Sequence, residues 1–334
     1  MIDSLDLEQF QARYASEEAC ARALFDAKWP EGFRCARCNG VHAYYIQTRK
    51  LYQCVACGYQ SSLTAGTIME GTRTSLRKWF LAMFMISRLD GVSATELQRI
   101  LQVTYKTAWT ILMKIRYAIS QEHESHTLSG MVRLKVAIYG YRITTKLWRF
   151  APGEYPVIVG ATVDETGEPV QLKIKQVDLT ESLRQSVIKW YIKGFESRYV
   201  GADATEVLSS THIGGKDAFT PLTDIVKLAT DWVNKTFIAI SQKHWQKYLD
   251  EFSYRYSLDE GYRRAVRYSR GMYGEKRSCW EDRIRHTEQR LRYASSTVFQ
   301  SLLHLGMSNK AFTYAQIISR KASRSEAITP YYAA

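Results

Sequence analysis

The spacing of apolar positions changes period several times along the chain, and each change predicts a different kind of element. Residues 4–27 carry Leu5, Phe10, Tyr14, Cys20, Ala23 and Leu24 at helical spacing, which predicts one or two short helices. Residues 43–46 and 50–53 mix Tyr, Ile and Leu over lengths too short for a helix, so they read as two small strands. After Gly71 the helical period returns in three segments. The first covers residues 75–89. Ser93 followed three residues later by Glu96 is a capping box and opens the second, residues 94–101. Gln102 and Val103 make a turn, and Thr104 caps the third, residues 105–120. From Met131 the pattern turns to strands over 132–139, 148–151, 157–163 and 170–177, then to a helix near 180–192. A further strand, 199–202, ends at Asp203, and helical sequence resumes at Thr220. This order of strands and helices predicts a mixed α/β sheet behind an N-terminal part of different character.

Composition narrows the class. With 334 residues, 46% apolar and 24% charged, the chain is globular and long enough for two or three domains. Its longest apolar run, Trp79 to Ile86, is far short of the ~18 residues of a membrane span. The first thirty residues hold six acids where a signal peptide would be basic and apolar, so a cytoplasmic protein with no membrane partner is expected. The formal charge is +13, and residues 31–130 and 261–334 carry the surplus, at +6 and +9. Such local excess is the footprint of a polyanion binder, and double-stranded DNA is the partner it predicts.

Four of the six cysteines form one pattern: Cys35, Cys38, Cys54 and Cys57. Two CxxC knuckles separated by fifteen residues supply the four sulfurs of a tetrahedral structural zinc site, and the two short strands between them suit a zinc ribbon. Gly40 and Gly58 follow the knuckles, where backbone with positive φ is expected. Cys20 and Cys279 have no partner spacing and read as ordinary thiols.

Two short helices, a tight turn and a third, basic helix describe a helix-turn-helix, with Lys106, Thr107, Lys114 and Arg116 as candidate DNA contacts. Trp109 and Ile111 are expected to pack inward. A three-helix cap with a solvated basic face is the competing reading.

The stretch Leu63-Thr-Ala-Gly-Thr-Ile-Met-Glu-Gly-Thr-Arg-Thr-Ser-Leu-Arg-Lys-Trp79, the block Lys106-Thr-Ala-Trp109 with Ile115, Arg116 and Ala118, and Lys243-His244 followed by Tyr248-Leu-Asp-Glu-Phe-Ser-Tyr-Arg-Tyr256 occur in a telling order. Together they resemble the zinc-ribbon DDE transposases of bacterial insertion sequences, of the ISXO-like type, over about residues 25–257. The resemblance implies terminal-repeat DNA binding by the N-terminal domains and a ribonuclease H-like core. In such a core three carboxylates converge on two Mg²⁺ ions. Alignment on Leu128-Ser129-Gly130 and Gly140 places Lys135 where the first carboxylate stands, the second is retained as Asp203 at the end of a central strand, and counting back from Ser241 and His244 puts Thr223 at the third. Asp224 would substitute only if its helix turned by about 100°. Asp164, Asp178, Asp231 and Glu251 are the other candidate acids for an active site.

The expectations are therefore these. The chain is a multidomain α/β protein: an N-terminal helical segment (1–30), a zinc ribbon (31–70), a helix-turn-helix domain (71–125), a degenerate ribonuclease H-like core (126–257) and an Arg-rich helical C-terminal region (258–334). The last suits either phosphate contacts or dimerisation. Zn²⁺ is structural, Mg²⁺ is not expected, and Lys135 should pair with Asp203. The protein reads as a domesticated, catalytically degenerate transposase without an intact catalytic triad, acting as a nucleoid-associated transcriptional or chromosomal regulator rather than an enzyme, and as a homodimer on DNA. An active transposase with displaced ligands and a protein-interaction scaffold are the alternatives.

Overall fold

A computed structural model describes residues 4–140, 154–177, 185–213, 217–237, 240, 242–271 and 293–308. The chain divides into two compact units, 1–118 with 288–317, and 119–287 with 318–334.

The first unit begins with strand β1 (Ser4–Asp6) and helices α1 (Leu7–Arg13) and α2 (Glu17–Lys28). Ser16 opens α2 by accepting from the Ala19 N–H at 3.1 Å. Strands β2 (Ala43–Ile46), β3 (Leu51–Cys54) and β4 (Gln60–Ser62) follow as a small antiparallel sheet. Its apolar support is a group of rings in which Tyr52 meets Phe25, Trp29 and Tyr45 at 5.0–5.4 Å between centroids. Lys28 ties α2 to the segment after β4, donating to the carbonyls of Ser62, Leu63 and Ala65 at 3.4, 3.0 and 2.6 Å.

Three helices complete this part: α3 (Leu76–Ser87), α4 (Ala94–Leu101) and α5 (Tyr105–Ser125). Ser75 makes no side-chain cap for α3. Instead the Glu17 carboxylate accepts from the Leu76 and Arg77 N–H groups at 2.7 and 3.2 Å, putting an anion at the positive end of the helix. Ser93 and Thr104 cap α4 and α5 as expected, accepting from Glu96 and Thr107 N–H groups. Between them Gln102 takes φ +51°, which ends α4 in a left-handed residue.

The C-terminal part of the chain also belongs here. Strand β9 (Tyr293–Ser295) pairs antiparallel with β1, and α10 (Ser296–Ser308) packs on α2 and α3. Phe299, fully buried, meets Phe10, Tyr14 and Phe80 at 5.5, 5.5 and 6.2 Å. The Ile68 N–H donates to the Gly306 carbonyl at 2.9 Å, and a side chain at Gly306 would press on Met83 and Ile68.

The second unit is built on a four-stranded sheet of β5 (Leu128–Tyr139), β6 (Tyr155–Val163), β7 (Pro169–Gln176) and β8 (Val200–Ser210), in the order β7-β6-β5-β8. The first three pair antiparallel, and β8 returns parallel to β5 after helix α6 (Gln185–Tyr199). Alternation along β5 sends Val132, Leu134 and Val136 to one face, where Ile188, Tyr191, Ile192 and Phe195 of α6 cover them. Gly160 on β6 is required there, since a Cβ would lie 2.6 Å from the Phe195 ring. Helix α7 (Thr220–Thr236) packs on β5 and β6, and α8 (Trp245–Leu258) packs on β7, with α9 (Glu260–Gly271) against α7 and α8. The strand expected at 148–151 and residues 272–292 of the Arg-rich segment lie outside the described residues, as does the start of the helix expected at 180. The strand expected at 199–202 continues to Ser210.

Candidate functional site

The four expected cysteines converge. Their sulfurs all lie within 4.8 Å of one another, with Cys35 to Cys57 at 3.6 Å and Cys38 to Cys54 at 3.5 Å. Four thiolates about 2.3 Å from a tetrahedral Zn²⁺ stand about 3.8 Å apart, so this set fits the ion. Each knuckle is closed by backbone: Cys35 N–H donates to Gly40 O and Asn39 N–H to Cys35 O, while Cys54 N–H donates to Tyr59 O and Gly58 N–H to Cys54 O, all at 2.9–3.0 Å. Gly58 takes the expected positive φ. At the first knuckle Asn39 takes it instead, at +61°. Gly40 is needed for a different reason, because a Cβ there would sit 3.2 Å from Cys54 Sγ and 3.3 Å from Cys38 Sγ. Desolvation works to raise the Cys35 thiol, yet N–H groups of Arg37 and Cys38 and the neighbouring thiols bring it down to about 7. Such a sulfur is ready to bind as thiolate.

The candidate DNA contacts divide. Lys106 is exposed and Thr107 half-buried at the start of α5, beside exposed Tyr105. Lys114 and Arg116 are buried, Arg116 to 1% exposure, so the expectation that they meet DNA is corrected. Lys114 sits over the Trp79 ring at 5.9 Å, and its ammonium is lowered by desolvation. Ile111 packs inward as expected, and Trp109 is half-buried.

In the second unit Lys135 is fully buried on β5, on the face opposite the α6 core. Its ammonium donates to both carboxylate oxygens of Asp217, at 2.9 and 3.0 Å. Ser210, its register partner at the end of β8, lies with Oγ 3.4 Å from the same carboxylate. The Phe219 N–H also donates to Asp217, at 2.9 Å. Burial works to raise the Asp217 carboxyl, but Lys135 and these donors hold it below its ordinary value. The expected pairing of Lys135 with Asp203 is corrected: Ala204 pairs with Gly130, so Asp203 lies roughly 20 Å from Lys135 at a strand rise of about 3.3 Å per residue. Asp203 is exposed at the other end of β8. Thr223 lies on α7, with its hydroxyl buried and lacking a hydrogen-bond partner among the described residues. Asp224 pairs with Lys227 at 2.9 Å. A single carboxylate neutralised by an ammonium does not fit a divalent-ion pair, which needs several anionic oxygens. Asp217 escaped attention in the sequence, although it is the one acid between Glu206 and Asp224.

The other acids have structural duties. Asp164 accepts from the Thr166 N–H and hydroxyl and from the Glu168 N–H in a turn. Glu251 is buried 3.8 Å from Arg255 on α8. Neighbouring Asp250 anchors a buried network: it lies 2.9 Å from Lys175, 3.4 Å from His123 Nδ1, and accepts from Gln246 at 2.9 Å. Lys175 also meets Glu124 at 2.9 Å, and Tyr256 donates to the Pro169 carbonyl. Burial, and then the Lys175 charge, lower the Lys173 ammonium to about 7. The 248–256 block thus fastens α8 to β7. Asp178 lies outside the described residues, and Asp231 is half-buried on α7.

Comparison with known proteins gives a family match within the first unit and one relative. Residues 15–60 match the transposase zinc-ribbon domain family of the IS1595 type. A stretch of 109 residues, 32% of the chain, is 28% identical to an uncharacterized protein in the transposable element ISH50 of Halobacterium salinarum. That match spans 37% of the relative's length. No solved structure matches. No helix among the described residues is long and apolar enough to cross a membrane. The ribbon match, its four gathered cysteines and the insertion-sequence relative support a transposase-related protein with a structural zinc site.

Proposed function

We propose that the protein is a transposase-derived DNA-binding protein that recognises duplex DNA without cutting it, and that it serves as a transcriptional or chromosomal regulator. The observation that carries this reading is the Lys135–Asp217 ion pair, which fills with an internal cation the place on the first core strand where the resemblance expects a metal ligand. A ribonuclease H-like core is supported by the sheet order, three antiparallel strands followed by a helix and a fourth strand parallel to the first. DNA binding is supported by the transposase zinc-ribbon match and by the capped helices α4 and α5. In this reading α3–α5 form the helix-turn-helix, Lys106 and Thr107 reach the groove, and Lys114 and Arg116 serve the interior. A dimer would match an inverted-repeat site.

The test is a nicking and strand-transfer assay with Mg²⁺ or Mn²⁺ on supercoiled and linear DNA, run beside a mobility-shift assay. Duplex binding that persists in EDTA-treated, zinc-retaining protein, with no cleavage, is expected. Divalent-ion-dependent cleavage would establish an active transposase with other ligands.

A further inference from the structure

The core carries a groove along the flank of α6 beside the end of β8, and Ile192 of the packed face belongs to its lining. Lys189, Lys193, Glu196 and Ser197 of α6 form one wall, Ser209 and Thr211 at the end of β8 form the other, and the space between them is about 430 Å³. Strand β8 is the edge of the sheet, so among the described residues no further strand closes this side. Both lysines are exposed. One helical turn separates them, and Ser209 in β8 and Thr211 just beyond its end stand two residues apart, a similar interval. Two ammonium groups and facing hydroxyls at these intervals suit consecutive phosphates of one nucleic-acid strand.

Trp190 decides what kind of strand. Trp190 is 40% exposed and lies outside the groove's lining, and by helical spacing it shares a face with Lys193 and Ser197, three and seven residues on, so it stands beside the groove on their side. Buried Tyr191 meets it edge-on at 5.1 Å and 85°, which holds the indole in place while leaving area bare. A fixed, exposed indole beside ammonium groups is a platform for an unpaired base. A duplex hides its base faces and offers such a ring nothing to stack on. Glu196 sets one negative charge in the groove against the two lysines, so phosphate attraction alone is weak here and stacking must contribute much of the affinity.

We infer that this groove binds single-stranded nucleic acid, with phosphates on Lys189 and Lys193 and one base on Trp190. The site goes beyond the proposed duplex recognition by the first unit and does not depend on it.

The experiment uses the full, zinc-loaded chain and a fluorescently labelled fifteen-nucleotide oligo-dT, with a duplex of mixed sequence as the second ligand. Anisotropy titrations at several salt concentrations are read for wild type, W190A, W190F and the double variant K189A/K193A. W190A should weaken oligo-dT binding about tenfold, and W190F should recover most of it. The double variant should lower the oligo-dT salt slope by about 0.7 for each lysine removed. Duplex affinity should stay within about twofold throughout, whereas K106A should weaken duplex and spare oligo-dT. Absence of oligo-dT binding by wild type, equal binding by wild type and W190A, or equal losses for both ligands would each overturn the assignment. Loss of duplex recognition with intact oligo-dT binding would instead sink only the proposed function. All four substituted side chains are solvent-exposed, and thermal melts check that each variant is folded.

Discussion

Lys135 and Asp217, 82 residues apart, form the one ion pair in which β5 holds a fully buried ammonium: its nitrogen is 2.9 Å from one carboxylate oxygen and 3.0 Å from the other. A buried charge is tolerable only with such a partner. Asp217→Asn should therefore destabilise the core by about 3 kcal/mol, because it strands the ammonium, while Lys135→Met should cost less. Urea unfolding monitored by core fluorescence measures both. Equal stability of D217N and wild type would show that the pair is incidental.

The same pair predicts a metal response. Lys135→Asp places two carboxylates together, and their repulsion should make the variant's melting temperature rise with millimolar Mg²⁺, as the wild type's should not. Thr223→Glu added to it should enlarge the response. A variant insensitive to Mg²⁺ would mean that the two carboxylates do not face one cavity.

Zinc removal should act locally. Cys54→Ser should abolish stoichiometric zinc in metal analysis and unfold residues 30–70, since ribbon folding is coupled to ion binding. Hydrogen exchange should show the four-stranded sheet unchanged. Full zinc content in that variant would contradict the four-sulfur site.

On α5, Lys106→Ala should reduce the salt slope of duplex binding by about 0.9, the value of one lost phosphate contact. Arg116→Ala should lower stability instead, because Arg116 is buried. Mobility shifts at graded salt, paired with melting curves, separate the two effects. A salt slope altered by R116A alone would place recognition elsewhere.

Desolvation, and then the charges of Lys243 and Lys247, lower the His244 imidazole to about 4. The fold thus favours the neutral ring, and the unfolded chain takes up its proton first as pH falls below about 6.5. Stability from this group is present above that pH and declines toward pH 4. In His244→Gln the fall in stability between pH 6.5 and 4 should be shallower by up to one proton. A pH profile identical to wild type would assign the acid sensitivity to other groups.

Much of this arrangement was legible from local chemistry. The cysteine spacing specifies the metal site, Ser93 and Thr104 announce α4 and α5, and alternating Val and Ile mark β5, β6 and β7. What stayed hidden depends on distant partners. A basic residue on a helix reads as exposed, yet Arg116 is interior, and only the apolar neighbours on its face, Leu112, Met113 and Ile119, point that way. Asp217 lies in a short loop where an acid looks ordinary until the register of β8 brings it to Lys135. At the first knuckle two adjacent small-turn residues share the work, Asn39 taking the left-handed backbone and Gly40 making room for sulfur, and spacing alone does not divide those roles.

The aromatic contacts of Phe299 predict that Phe299→Ala costs the first unit about 3–5 kcal/mol, readable as a lowered melting temperature of the α2–α3 region by hydrogen exchange. They also set an order of events during synthesis. A ribosome that has completed the ribbon and reached residue 118 has about 190 residues still to add before α10 is finished, roughly 10–40 s at ordinary elongation rates. For that interval Phe10, Tyr14 and Phe80 lack the ring that covers them. The domain begun first is thus completed only after most of the second has been made, and the nascent chain exposes an apolar patch that chaperones are suited to shield.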